Sequence, residues 1–207
     1  PVGEACEGAP TTYTANAANA TSYTWRINGV NVSGQTAATF VKTWSNSEVG
    51  VRNIEVAGRN SGCANNGPFR SLLTYVAAAP AAPVLSQIPS SSQVCEGATS
   101  SYGVTYANNL TYEWSLNAVV DNTTNRENFV KSWSAAASNQ VVSVKSVNQF
   151  GCKSPAVNFP AMQVNANPAT PTATAIPAQA VCSGTSSTFE VSPLSNVTYQ
   201  WFVGGIL

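Results

Sequence analysis

Apolar and polar residues alternate one for one through short runs of this chain. Tyr23, Trp25 and Ile27 alternate with Thr24 and Arg26, and Tyr112, Trp114 and Leu116 alternate with Glu113 and Ser115. A period of two places every second side chain on one face, so each run is a predicted strand with one apolar side. An earlier strand follows the same rule with Tyr13 and Ala15, Tyr102 and Val104, and Phe189 and Val191. Later in the chain Ile54 and Val56 match Val142 and Val144, and a final strand carries Leu73 and Tyr75 against Met162 and Val164. No run of helical period has useful length, and the predicted class is all-β.

The strands belong to a sentence of residues written three times. Cys6-Glu7-Gly8, Tyr13 and Tyr23-Thr24-Trp25 return as Cys95-Glu96-Gly97, Tyr102 and Tyr112-Glu113-Trp114, and again as Cys182-Ser183-Gly184, Phe189 and Tyr199-Gln200-Trp201. Cysteine leads tryptophan by 19 positions each time, and the copies begin 89 and 87 positions apart. That period is too long for a solenoid unit and suits a small domain with its own core. Three modules are expected: 1–79 without its N-terminal strand, 80–167 complete, and 168–207 as the start of a third. Both ends read as cut. With only its first strands, the third copy is expected to need the rest of its module, or a neighbouring chain, to be ordered.

Matching Pro-rich segments join the copies, Pro80-Ala81-Ala82-Pro83 with Ile88-Pro89 and Pro168-Ala169-Thr170-Pro171 with Ile176-Pro177. Proline at three-residue intervals favours an extended, semi-rigid backbone. The modules are expected to line up as an extended rod.

Five cysteines divide into two pairs and an orphan. Cys6 and Cys63, like Cys95 and Cys152, stand 57 positions apart, and a partner for Cys182 would fall near position 239. The expectation is one disulfide inside each module, Cys6–Cys63 and Cys95–Cys152, with Cys182 unpaired; buried free thiols are the competing reading. Bonded cysteines imply an oxidising, extracytoplasmic compartment. A loop of that size would stabilise its module by about 4 kcal/mol in the chain-entropy model. Zinc competes weakly, because no Cys-x-x-Cys pair exists.

Composition removes most chemistry. Lys plus Arg equals Asp plus Glu at nine each, and the chain has no His. Without His there is no Ser-His-Asp or Cys-His arrangement, and the commonest metal ligand is missing. Asp121, the single aspartate, lies in Asp121-Asn122-Thr123-Thr124-Asn125, which reads as a turn rather than a calcium loop. No basic block exists to neutralise phosphates, so nucleic acid is an unsuitable partner. No stretch reaches the roughly 20 apolar residues of a membrane span. Five Asn-x-Ser/Thr triplets, at Asn19, Asn31, Asn109, Asn122 and Asn196, follow from Asn and Thr richness, and the three that precede Tyr-x-Trp read as a repeated turn.

About seven short strands per module, an early Trp and a Cys pair describe an immunoglobulin-like sandwich. Cys-x-Gly, an aromatic, Tyr-x-Trp, a later Trp44 or Trp133, and a closing Asn-x-Gly-Cys or Asn-x-x-Gly-Cys together resemble the PKD-like and Ig-like repeats of large secreted Bacteroidetes surface proteins. That resemblance covers the whole chain and implies adhesins of the type IX secretion and gliding-motility kind. It departs from the family at Lys42 and Lys131, where an apolar residue usually stands two before the later Trp.

Tyr23, Trp25, Tyr112, Trp114, Tyr199 and Trp201 are expected core residues. Trp44 and Trp133 are the ligand-facing candidates, set against core packing. In the core alternative either the preceding Lys lies over the ring or a bulge turns the Trp inward. The function expected is a non-catalytic structural or adhesive region of an extracellular filament or giant cell-surface adhesin, with no cofactor and no metal. Its partners would be neighbouring repeats, surface polysaccharide or other filament subunits. The alternative is carbohydrate-binding or accessory spacer modules of a secreted multidomain enzyme.

Overall fold

A computed structural model describes residues 3–63, 66–176 and 180–206 of the 207, with the side chains of 175 and 176 also outside the description. Pro177, one half of the expected Ile176-Pro177 landmark, lies outside the described residues.

The first strands are β1 (Gly3–Cys6), β2 (Pro10–Thr14), β3 (Ser22–Ile27), β4 (Val30–Asn31), β5 (Thr39–Thr43), β6 (Gly50–Arg59) and β7 (Arg70–Ala77). They form a five-stranded sheet, β1-β7-β6-β3-β4, and a two-stranded sheet, β2-β5. Ala5, Trp25, Ile54 and Val76 from the larger sheet meet Tyr13 and Phe40 from the smaller in one buried cluster with Trp44. β1 runs parallel to β7, with Cys6 opposite Ala77.

The same plan returns with ten strands: β8 (Leu85–Gln87), β9 (Gln93–Cys95), β10 (Thr99–Val104), β11 (Leu110–Leu116), β12 (Val119–Asp121), β13 (Asn128–Ser132), β14 (Ala137–Gln140), β15 (Val142–Asn148), β16 (Val157–Asn158) and β17 (Met162–Asn165). One sheet is β13-β10-β8; the facing layer divides into β12-β11-β15-β16 and β14-β17-β9. That layer divides at Val141, between β14 and β15, and at 159–161, between β16 and β17, where Pro160 cannot donate to a ladder; Asn139, at φ 52°, makes an irregularity inside β14. Tyr102, Val104 and Phe129 of the first sheet interleave with Tyr112, Trp114, Val142, Val144, Met162 and Val164 of the second. Two antiparallel layers around one core, with the first short strand parallel to the last, make an immunoglobulin-like β-sandwich. Among the described residues no strand of the first group pairs with one of the second.

Among the described residues β18 (Ala173–Ile176) and β19 (Thr188–Val191) follow, paired antiparallel. No second sheet covers this pair among the described residues, and Phe189 and Trp201 are 56% and 45% exposed. Trp201, expected in a core, is therefore on the surface of the structure, with Tyr199 half-buried.

The final strand of the first repeat also corrects its expected face. Thr74 and Val76 are buried there, whereas Leu73 is 47% exposed. The antiparallel register sets Val51 against Tyr75 and Arg52 against Thr74, one step from the face that Leu73 and Tyr75 suggested. A single-residue slip exchanges the two faces of a strand.

Candidate functional site: a covalent junction between repeats

Trp25 is 2% exposed and Trp114 is fully buried. Their indole N–H groups donate to the carbonyls of Ala37 and Arg126, both at 2.9 Å. Phe40 lies 5.5 Å from Trp25, and Phe129 5.2 Å from Trp114. Burial of both the ring and its satisfied N–H leaves no sugar platform here.

The ligand-facing expectation for Trp44 and Trp133 is overturned. They are 1% and 4% exposed and belong to the two cores. Trp44 follows β5 on the face of Phe40, and the Lys42 ammonium stands 5.3 Å from its ring centroid while pairing with Glu48 at 2.9 Å. The long Lys stem covers the ring edge and lets the charge reach water. Trp133 instead donates to the Ser100 hydroxyl at 2.9 Å.

Glu48 is held by more than Lys42. Its carboxylate accepts the Ser45 backbone N–H at 2.9 Å and the Ser45 hydroxyl at 2.8 Å. Burial pushes its pKa up, but these hydrogen bonds and the Lys42 charge outweigh burial and lower it to about 2.

The Tyr of each Tyr-x-Trp has a job that the alternation alone did not reveal. Tyr112 donates its hydroxyl to the Thr105 carbonyl and accepts the Ala107 N–H, both at 3.0 Å. Tyr23 accepts from Ala17 and Tyr199 from Leu194 in the same way. The loops so pinned turn through Asn19, Asn109 and Asn196, at φ 60°, 61° and 61°. Left-handed backbone is tolerated by Asn, which accounts for its recurrence one turn before Tyr-x-Trp.

The most distinctive chemistry lies between the repeats. Cys6 is bonded to Cys152, with Cα atoms 5.3 Å apart, while Cys63, Cys95 and Cys182 are free and exposed. Neither expected pairing, Cys6–Cys63 or Cys95–Cys152, is formed. The cause is the sandwich itself. Cys6 lies opposite Ala77, beside the Gly50 end of β6, and Cys63 follows the Arg59 end. Ten residues of strand separate those ends by roughly 30 Å, whereas bonded cysteines need Cα atoms within about 7 Å. Both kinds of pairing preserve the equal 57-residue spacings, because a tandem repeat copies its spacings whether a bond closes within a copy or between copies.

Around the bond the two repeats interlock. Phe150 lies 5.2 Å from the Tyr75 ring, which explains why Tyr75 points out of its own core. Asn148 donates its side-chain amide to the Ala78 carbonyl at 3.0 Å, and the Glu7 carboxylate accepts the Ala79 N–H at 3.0 Å. Asn148 also organises the turn that presents the cysteine, its Oδ1 accepting the N–H groups of Phe150 and Cys152 at 3.0 Å. Cys6, Glu7, Gly8, Lys145, Lys153 and Pro155 border a shallow cleft at this seam.

No group of His, Cys, Asp and Glu suited to a metal occurs among the described residues, and no helix there is long and apolar enough to cross a membrane.

No family model matches the chain, and no curated protein matches it. Among solved structures it is similar to the fibronectin(III)-like modules of Clostridium thermocellum CbhA, at 15% identity over 80% of this chain and 90% of that one, with a TM-score of 0.44. The tandem Ig repeats of Dlar are 18% identical over 80% and 94%, with a TM-score of 0.34. A Bacteroides ovatus mixed-linkage glucan utilization protein, SGBP-B, solved with a mixed-linkage heptasaccharide, is 14% identical over 78% and 42%, with a TM-score of 0.30. The immunoglobulin-like assignment rests on the strand order and the shared cores described above.

Proposed function

We propose that this chain is a non-catalytic, load-bearing stretch of tandem modules, 1–79, 80–167 and 168–207, from an extracellular filament or giant cell-surface adhesin. The observation that carries the reading is the Cys6–Cys152 bond. Tension entering at the N-terminus reaches Cys6, crosses to Cys152 and leaves along β17, so residues 7–151 lie outside the covalent path of the force. Such a bond takes all of the first core but Ala5, and all of the second but Phe159, Met162 and Val164, off the path of the force, a use suited to a surface fibre under shear. An oxidising compartment for the bond supports placement outside the cytoplasm. The Pro-spaced linkers support a rod, and the resemblance to repeats of type IX-secreted gliding adhesins supports an adhesive role, with neighbouring repeats, surface polysaccharide or other filament subunits as partners. The accessory carbohydrate-binding alternative has lost its aromatic platform, since Trp44 and Trp133 are buried.

Stretching the chain between its two ends tests the reading. Under oxidising conditions the bypassed segment should be missing from the final extension, on the order of 50 nm at full stretch, and reductant should restore it. An extension that reductant leaves unchanged refutes the load-bearing role.

A further inference from the structure

Cys95 occupies the same molecular setting as Cys6. Each cysteine ends the short strand parallel to the last strand of its repeat, Cys6 opposite Ala77 and Cys95 opposite Asn165. The following N–H, of Glu7 or Glu96, donates to that same opposite carbonyl at 2.9 Å in both. The next N–H, of Gly8 or Gly97, donates to the carbonyl of the buried Trp44 or Trp133, at 2.9 and 2.7 Å. Gly8 and Gly97 take φ 76° and 88°, and Ala9 and Ala98 close the turn on their cysteine carbonyls at 3.3 and 3.1 Å. Cys182 begins a third such turn, with Gly184 at φ 90° and Thr185 donating to the Cys182 carbonyl at 3.2 Å.

Cys63 in turn matches Cys152. Asn60 organises its turn, accepting the Gly62 N–H on Oδ1 at 2.9 Å and the Cys63 N–H on its backbone carbonyl at 3.0 Å. One member of each matched pair, Cys6 and Cys152, is already joined to the other.

We infer that Cys95 is a cross-linking site that takes the Asn-x-x-Gly-Cys turn of a following repeat, so that the bonds run from each early turn to the next repeat's late turn as a ladder. Cys182 is a further rung of the same kind, and Cys63 receives a Cys-Glu-Gly turn from another repeat. The inference rests on the tandem-repeat reading above, and not on adhesion. Formation is thiol–disulfide exchange with a disulfide donor, an oxidised thiol–disulfide oxidoreductase or oxidised glutathione. The Cys95 thiolate attacks the donor to give a mixed disulfide and releases one donor thiol. The partner thiolate then displaces the second, so two protein thiols are oxidised to one disulfide and the donor is reduced to two thiols.

Two extended chains test the ladder. In one, residues 121–167 are appended after Leu207 to complete the third repeat; in the other, residues 1–167 are followed by a second copy of 80–167. The appended copy carries Lys153→Arg so that its cysteine peptide differs in mass. After refolding with oxidised and reduced glutathione, non-reducing peptide mapping should find Cys95 joined to the appended copy of Cys152, with Cys6 still joined to the original Cys152. Cys95 that stays open to alkylation in both chains overturns the inference, as does a bond from the appended copy of Cys152 to an early cysteine of its own repeat. A Cys95 bond in a chain whose extension ignores reductant upholds the ladder and removes the load-bearing reading alone.

Discussion

Cys6 and Cys152 are 146 positions apart in sequence, yet their Cα atoms lie 5.3 Å apart. Each is the last fixed point of a turn at one end of a sandwich, and the two ends face each other across the Ala77–Ala79 linker. The junction thus combines a covalent bond, the Tyr75–Phe150 ring contact and the Asn148 to Ala78 hydrogen bond in one place.

Non-reducing digestion of the chain should yield a single linked pair of peptides, containing Cys6 and Cys152, with Cys63, Cys95 and Cys182 carrying an alkylating label. A Cys6–Cys63 or Cys95–Cys152 product would reverse the assignment of the bond.

Cys6→Ser should uncouple the two repeats. The chain-entropy model sets the bond's contribution at about 5 kcal/mol for a loop of this size when both repeats unfold together. Calorimetry should show transitions at lower temperature in Cys6→Ser than in the oxidised parent, and reduction of the parent should reproduce the variant's trace. Identical traces before and after reduction would contradict the junction.

Trp44→Ala and Trp133→Ala should each cost about 3–5 kcal/mol, as other buried aromatic truncations do. Trp201→Ala, at a side chain 45% exposed, should stay within about 0.5 kcal/mol. Urea denaturation of the three variants checks both statements, and an unchanged midpoint for Trp133→Ala would restore a surface role.

Acid should loosen the first repeat through Glu48. Its folded pKa of about 2 lies below the ordinary value of 4.5, so its carboxylate stabilises the fold fully above about pH 4.5. That contribution fades as pH falls from 4.5 towards 2, because the unfolded chain takes the proton first. Glu48→Gln should flatten this part of the stability profile, measured by thermal melts between pH 2 and 6. A parent and variant with parallel profiles over that window would exclude Glu48 as the cause.

Period-two alternation was enough to locate most strands. It identified Tyr13, Tyr23, Trp25, Tyr102, Tyr112 and Trp114 as one-face residues; Tyr23 is half-buried and the other five are buried. It failed at β7, where Leu73 and Tyr75 are as apolar as the residues that are buried. There the decision came from register with β6, and from Phe150 of the next repeat, which covers Tyr75. Trp44 and Trp133 were ambiguous for a similar reason. A Lys two positions earlier argues for exposure in a list of residues, but its stem can lie along a buried ring and release the charge at the edge, as Lys42 does.

By itself the sequence determined what depends on local order: strands from alternation, the repeat from its landmarks, recurrent Asn and Gly turns from their backbone preferences, and the lack of His-based chemistry from composition. The tertiary structure decided which cysteines meet. Equal spacings are the same for bonds within a repeat and bonds between repeats, so no count along the chain separates them. A sandwich puts its early and late turns at opposite ends, and distance then forbids the bond within a repeat and allows the one that joins Cys6 to Cys152.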